Sequence, residues 1–342
     1  GPGGDVVIPD TINGYPVTVI GTNAFISHLS LTNVVIPDSV ITIEPQAFAA
    51  CSSLTSVVTG TNIHTIGDMA FYTCLQLTNF TMPDSVTSIG SRAFGTCTSL
   101  ADVNIPGGVT NIGVGAFAFC YSLKAINVDV SNPFYSSLDG VLVNKDQTIL
   151  IQCPGGKAGS YAIPGSITNI LATPFAGCRS LTNVIIPGSI SSIGSGMFEY
   201  CQHLTGVALP NSIISIGSYA FYACTSLVSI TIPGSVTSIG DEAFAECFSL
   251  STIYFLGNTT RVGELIFDDD NAGIVYYLPG TTGWGSKFRP WQIALWLPQV
   301  QTTNASFGVE TNQFGFNINW VSGQTVVVEA CTNLSNPDWQ PV

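Results

Sequence analysis

Ten cysteines, three histidines and 21 acidic residues are the groups in this 342-residue chain that could carry chemistry. Eight of the cysteines share one phase: Cys51, Cys74, Cys97 and Cys120, then Cys178, Cys201, Cys224 and Cys247. Thiolate metal sites need ligands clustered as in C-x-x-C, and the chain has no such pair. Stacked rungs would bring neighbouring cysteines within Cα reach of a disulfide, but parallel Cβ vectors aim the sulfurs poorly for bridging. The pattern predicts a row of small buried hydrophobes with mostly free thiols. Cys153 and Cys331 lie off this phase and receive no role. His28, His64 and His203 stand at different phases with no fixed serine or carboxylate, so no hydrolytic triad is predicted.

Weaker constellations resolve the same way. Asp241, Glu242 and Glu246 read as an ordinary solvated turn. Gly155-Gly156-Lys157 invites comparison with a phosphate loop, but the G-x-x-x-x-G-K-[ST] spacing is absent and no helix is expected to follow. Asp268 to Asn271 offers oxygen donors suited to Ca²⁺ without the D-x-D-x-D-G spacing of a calcium loop. No catalytic, cofactor-binding or metal-binding residue is therefore assigned, and an enzyme is not expected.

What positions these residues is a repeat. A 23-residue unit starts at Leu31, Leu54, Leu77, Leu100 and Leu123, and resumes at Leu181, Leu204, Leu227 and Leu250. Phe25, Phe48, Phe71, Phe94 and Phe117, then Phe175, Phe198, Phe221, Phe244 and Phe267 keep the same beat. A fixed period in this range marks a solenoid. Each unit opens with an alternating strand, such as Val184 in, Ile185 out and Ile186 in, stopped by Pro187. A second short extended piece, such as Val236 to Ile239, ends in a glycine (Gly240) able to take a positive φ. The third part, such as Ala243-Phe244-Ala245-Glu246-Cys247, spaces Phe and Cys so that one helical turn would direct both inward. Leu100, Val103, Ile105, Val109, Ile112 and Phe117 are one coil's share of the expected core.

The pattern LTNVxIPxSVTSIGxxAFxxCxS resembles the BspA-type leucine-rich repeat, also described from treponemal surface proteins. The resemblance spans about residues 6–273. It departs from the broader leucine-rich repeat, because a Pro-[Asp/Gly]-Ser turn replaces the asparagine after the strand. It implies a secreted or surface-exposed bacterial protein used for adhesion or binding, although no signal peptide is present in this chain.

Composition sets further bounds. Only 8% of residues are charged, the net charge is −13, and mean hydropathy is +0.41. Nucleic acid requires a basic footprint, and an anionic membrane surface would repel this chain. No run reaches the roughly 20 apolar residues that span a bilayer. Partners are expected to be a protein or glycan ligand or other copies of the chain, with a homo-oligomer or fibre as one outcome. No cofactor is expected.

The expected fold is a β-rich (α+β) leucine-rich-repeat solenoid with short helical turns and about ten coils, followed by a small partial, sandwich-like all-β domain. Residues 1–30 form an N-terminal capping repeat and 31–273 the solenoid. Within it, Asp139-Gly140 between apolar runs predicts a β-hairpin excursion at about 128–162. Residues 274–298 form a cap or linker and 299–342 the C-terminal domain, with candidate strands at 307–309, 314–318 and 326–330.

Function is then expected where copies differ. The outward strand positions run Val35, Val58, Thr81, Asn104, Asn127, Ile185, Ala208, Thr231 and Tyr254, an uncharged stripe of the kind on which solenoids bind. Two roles follow. One is a non-catalytic extracellular or cell-surface binding or adhesion module. The other is a structural subunit of an extracellular filament joined head to tail, with strand exchange through the C-terminal domain.

Overall fold

The computed structural model describes residues 4–267, 272–288 and 290–296, and the backbone of six short strands between 299 and 341. The chain divides into two compact units, Gly1–Ala294 and Leu295–Val342. In the second, Gln299–Gln301 pairs antiparallel with Asn317–Asn319, Gly308–Glu310 with Gln313–Gly315, and Glu329–Ala330 with Gln340–Pro341. The candidate strand positions Phe307, Phe316 and 326–328 lie outside the described residues, as do Cys331 and the acidic run 268–271.

The first unit is a β-solenoid of about 12 coils, two more than the spacing suggests. First strands stack in parallel with a 23-residue offset: Val34 opposite Val57, Asn104 opposite Asn127, Ile230 opposite Ile253. The short second strands form their own ladders, with Ile43, Ile66, Ile89 and Ile112 in register. The first ladder is interrupted at 77–82, where Phe80 fills an inward position that other coils give to Val or Ile. Its ring packs 5.1 Å from Phe71 and 4.8 Å from Phe94.

The third side corrects an expectation: among the described residues there is no helix. The Ala-Phe-x-x-Cys segments are consecutive turns with left-handed residues four apart, such as Gln46 and Ala50 (φ 59 and 59) or Met69 and Thr73 (φ 54 and 58). Alternate amides close locally: Ala47 N donates to Glu44 O and Ala49 N to Gln46 O. The amides between them reach the next coil, Gln46 N to Asp68 O, Phe48 N to Ala70 O and Ala50 N to Tyr72 O. A helix would keep every bond inside one coil. Here half of them tie coils together, which offsets about 1 kcal/mol of strain per left-handed residue.

Phenylalanine rings stack along the interior, with centroids 5.0 to 5.6 Å apart from Phe25 to Phe117. A second stack runs from Phe175 to Phe267 and ends on Trp291, whose ring lies 4.3 Å from that of Phe267. Beside the rings, seven cysteine thiols (Cys51, Cys74, Cys97, Cys120, Cys201, Cys224 and Cys247) donate to the carbonyl of the phenylalanine 26 residues earlier, as Cys97 Sγ does to Phe71 O at 3.1 Å, whereas Cys178 beside the insertion turns to Pro154 O. Among the described residues, nine cysteines are buried free thiols. Cys153 now has a place. Its amide donates to Pro174 O as the phenylalanine amides do to their next coil, so it fills the ring position between Phe117 and Phe175.

The glycine closing the second strand serves a different purpose from the one its type suggests. Gly90 and Gly113 do not have positive φ. A Cβ would meet Asp68 N at 2.4 Å and Ser91 N at 2.2 Å, so close approach of adjacent coils demands glycine there. Threonine and serine hydroxyls add to the same ties. Thr55, Thr87, Thr110 and Thr205 each donate to the carbonyl 23 residues back.

The insertion is not an excursion. Strands Tyr135–Leu138, Val141–Asn144 and Ile149–Gln152 form an antiparallel meander, and the third pairs in parallel with Asn169–Ile170 of the next coil. All of Val141, Leu142 and Val143 are fully buried. Leu142 belongs to the core of the N-terminal coils, whereas Val141 and Val143 belong to that of the C-terminal coils. Strand alternation thus sends side chains of one strand into two cores. The meander is a wall across the solenoid.

Buried Asn132 pins its start. Its Nδ2 donates to Pro106 O and Val109 O, and its Oδ1 accepts from the Phe134 and Tyr135 amides. Asn132→Ala leaves four backbone groups without this partner and is expected to cost about 3 kcal/mol. Urea unfolding checks this, and a loss below about 1 kcal/mol would show that solvent replaces the side chain.

Burial pushes the Cys120 thiol up to about 12 and moves Cys74, Cys97 and Cys201 upward as well. The unfolded chain releases these protons from about pH 8.5, while the folded chain holds them. Stability is full below that pH and falls as pH rises toward 12, by about 1 kcal/mol per thiol per unit. Urea midpoints at pH 7.5 and 10 should show the fall, and Cys120→Ala should make it shallower. An unchanged midpoint refutes it.

Candidate functional site

Coil stacking turns one outward position per strand into a row. Val35, Val58 and Ile185 are 38%, 58% and 47% exposed. Thr81, Asn104, Asn127 and Ala208 are exposed, and Thr231 and Tyr254 half-buried. The row is longer than the repeat count indicates. Val7 pairs with Val35, Ala162 with Ile185, and Tyr276 with Tyr254, whose ring it stacks on at 5.4 Å. Each added coil carries the same signal, a strand running into proline: Val6 to Pro9, Tyr161 to Pro164, Val275 to Pro279. With 1–30 and 274–298 read as caps and 128–162 as an insertion, these three positions stay out of the row named from sequence.

The wall divides the row. Ile126 N donates to Gly140 O, and the Asp139-Gly140 turn lies against Ala125, closing the ladder beside Asn127. Lys157 Nζ fastens this turn through Asp139 Oδ2 and Asp139 O, both at 2.8 Å. Gly155 and Gly156 hold no ligand-shaped loop. Cβ atoms there would meet Cys120 O at 2.6 Å and Leu123 O at 2.9 Å, so these glycines let the chain pass between coils. On the N-terminal side of the division, Asp84, Asn104, Asn127 and Asp129 border a hollow of 330 Å³. Ser131 donates its amide and hydroxyl to Asp129 and holds that carboxyl below its usual range. Asn127 Nδ2 donates to Asn104 Oδ1 along the row.

The histidines remain apart. His28 and His64 rings meet the carbonyls two residues back, and the His203 ring meets Arg179 O. Among the described residues no group of three His, Cys, Asp or Glu is placed to hold a metal ion.

The turn side holds an arrangement that sequence reading missed. Tyr121, Phe119, Tyr200, Tyr222 and Tyr219 form a continuous edge-to-face run, with centroids 6.5, 6.0, 5.5 and 5.8 Å apart. Arg179 lies over Tyr121, its guanidinium carbon 3.6 Å from the ring centre. The Tyr219 hydroxyl donates to Glu242 at 2.9 Å and that of Tyr222 to Glu246, raising both phenols. Burial raises Glu199 beside them, against the pull of Arg92. Glu242 and Glu246 therefore belong to a tyrosine-bonded cluster rather than a merely solvated turn. The 23- and 24-residue spacings to Tyr219 and Tyr222 could have found it.

The profile of the BspA type Leucine rich repeat region matches residues 18–137 and 156–272 in six copies. Among solved structures, the pneumococcal vaccine antigen PcpA aligns with a TM-score of 0.64 at 23% identity, over 80% of this chain and 78% of its own. A leucine-rich-repeat protein from Eubacterium ventriosum aligns with a TM-score of 0.58 at 26% identity, over 80% of this chain and 66% of its own. A leucine-rich cell surface protein from Faecalibacterium prausnitzii aligns with a TM-score of 0.56 at 28% identity, over 74% and 88%. No curated protein sequence matches the chain.

Proposed function

Because the chain belongs to the BspA-type leucine-rich-repeat family, we propose that it is a non-catalytic binding or adhesion module of the bacterial cell surface, taking a protein ligand on its first-strand row. The carrying observation is the row itself: mostly exposed, uncharged at every named position, and spaced by a buried core. Val7, Val35 and Val58 are adjacent apolar side chains on an ordered sheet, and such surfaces serve as contact sites. A fixed sheet loses little conformational freedom on binding, so more of the contact energy appears as affinity. The F. prausnitzii neighbour, described as a cell surface protein, supports the location.

Cells displaying the chain should adhere to one member of a panel of immobilised extracellular proteins and glycans. Val58→Asn with Ile185→Asn should weaken that adhesion about tenfold while leaving the melting temperature within a few degrees. A hydrolytic activity of the purified protein, abolished by one substitution, sinks the proposal.

A second reading, a filament subunit, is favoured by the N-terminal edge. Strand Gly4–Val7 pairs on one side only among the described residues, and Val7, Ile12, Tyr15 and Leu29 are 57% to 77% exposed around it. The other end is less open, because Trp291–Leu295 and Lys287–Phe288 extend the last ladder as a hairpin. Sedimentation across a concentration series decides: a filament subunit grows with concentration, and a persistent monomer excludes this reading.

A further inference from the structure

From the aromatic run on the turn side we infer a second interaction surface, separate from the first-strand row, that takes an arginine-bearing segment of a protein partner. The inference rests on the binding-module reading and adds a site and a partner chemistry to it.

Five rings from three coils meet there without a break, from Tyr121 to Tyr219. At the positions of Phe119, Tyr200 and Tyr222 most other coils carry small residues, such as Ala49, Ala50, Gly95 and Thr96. The rings are half-buried, and Tyr219, at the end of the run, is 41% exposed. Tyrosine and arginine concentrated in one patch are the composition of binding hot spots, where ring area and a polar tip act together.

Charge selects the partner. Glu242 and Glu246 accept the Tyr219 and Tyr222 hydroxyls, Asp241 and Glu199 add negative charge beside Tyr219, and Arg92 is the cation that partly offsets Glu199; among the described residues no arginine lies over these rings. At the other end the protein itself shows what the rings accept: the Arg179 guanidinium lies flat on Tyr121. A planar guanidinium can stack on a phenol ring and still donate to a carboxylate beside it. Tyr219 with Glu242 offers that pair of functions on adjoining side chains: the Tyr219 hydroxyl donates to Glu242 Oε1 at 2.9 Å, which holds a carboxylate beside the ring. The inner rings succeed one another at 5.5 to 6.0 Å. Alternate side chains of an extended strand repeat at about 6.6 Å, so arginines two apart fall near successive rings. A second copy of this chain does not suit the surface, since a chain of net charge −13 brings 21 acids and only eight cations.

The probe is a peptide of alternating Arg and Thr, titrated against the full chain by fluorescence anisotropy. Tyr219→Ala with Glu242→Gln should weaken binding about tenfold. Tyr222→Phe, which keeps the ring and loses the hydroxyl, should weaken it less. The control Asp10→Asn, Asp102→Asn and Asp146→Asn, which removes three exposed carboxylates elsewhere, should leave affinity within about twofold. Equal weakening in control and site variants overturns the inference, because net charge alone would then explain binding. No binding at all also overturns it. So does tighter binding of a neutral N-acetylglucosamine hexamer that the site variants abolish. If Val58→Asn with Ile185→Asn removes peptide binding and the turn-side variants do not, the inference falls while the first-strand row stands.

Discussion

The pitch of the aromatic stack is the constraint from which the rest of this structure follows. Phenylalanine centroids 5.0 to 5.6 Å apart cannot be reached unless each coil lies one strand spacing from the next. At that distance there is no room for a helix on the third side. The chain instead takes left-handed turns whose amides alternate between their own coil and the next. The same distance forbids a Cβ at Gly90 or Gly113 and lets a cysteine thiol reach the phenylalanine carbonyl of the neighbouring coil. Short hydroxyl side chains reach the preceding coil, which is why Ser and Thr fill polar positions that other proteins give to charged residues.

Much of the fold was legible because its strongest signals are chemical types at fixed intervals. Strand alternation, the terminating proline, and the Phe and Cys phases each appear directly as residue identity. The turns were not legible for the opposite reason. Gln46, Met69, Arg92 and Thr73 all take positive φ, and none is a residue whose type announces it. Inter-coil hydrogen bonding overrides local preference there. The glycine of the second strand misled in the reverse sense: its type suggests backbone freedom, whereas its neighbours demand only absence of a side chain.

The insertion and the surfaces show a related limit. Asp139-Gly140 gives the hairpin from sequence, and the turn has φ of 52 and 77 as its type requires. Its location needed a second clue, the unbroken Val141-Leu142-Val143. Three consecutive apolar residues in a strand mean that both faces are covered. The outward row was visible because its members share a phase. The aromatic run was not, since Phe119, Tyr121, Tyr219 and Tyr222 come from different phases and meet only after stacking.

The divided allegiance of Val141, Leu142 and Val143 bears on how such a molecule changes over generations. Duplication or loss of one 23-residue unit on either side of the wall preserves the repeated ladder, ring and thiol contacts, because in these each coil meets copies of itself. No such freedom exists between Ile126 and Tyr161, where Leu142 faces one core and its neighbours the other. Length is thus heritable in whole steps, while the wall is a fixed landmark. Variation in reach can accumulate on both flanks without altering the junction between them.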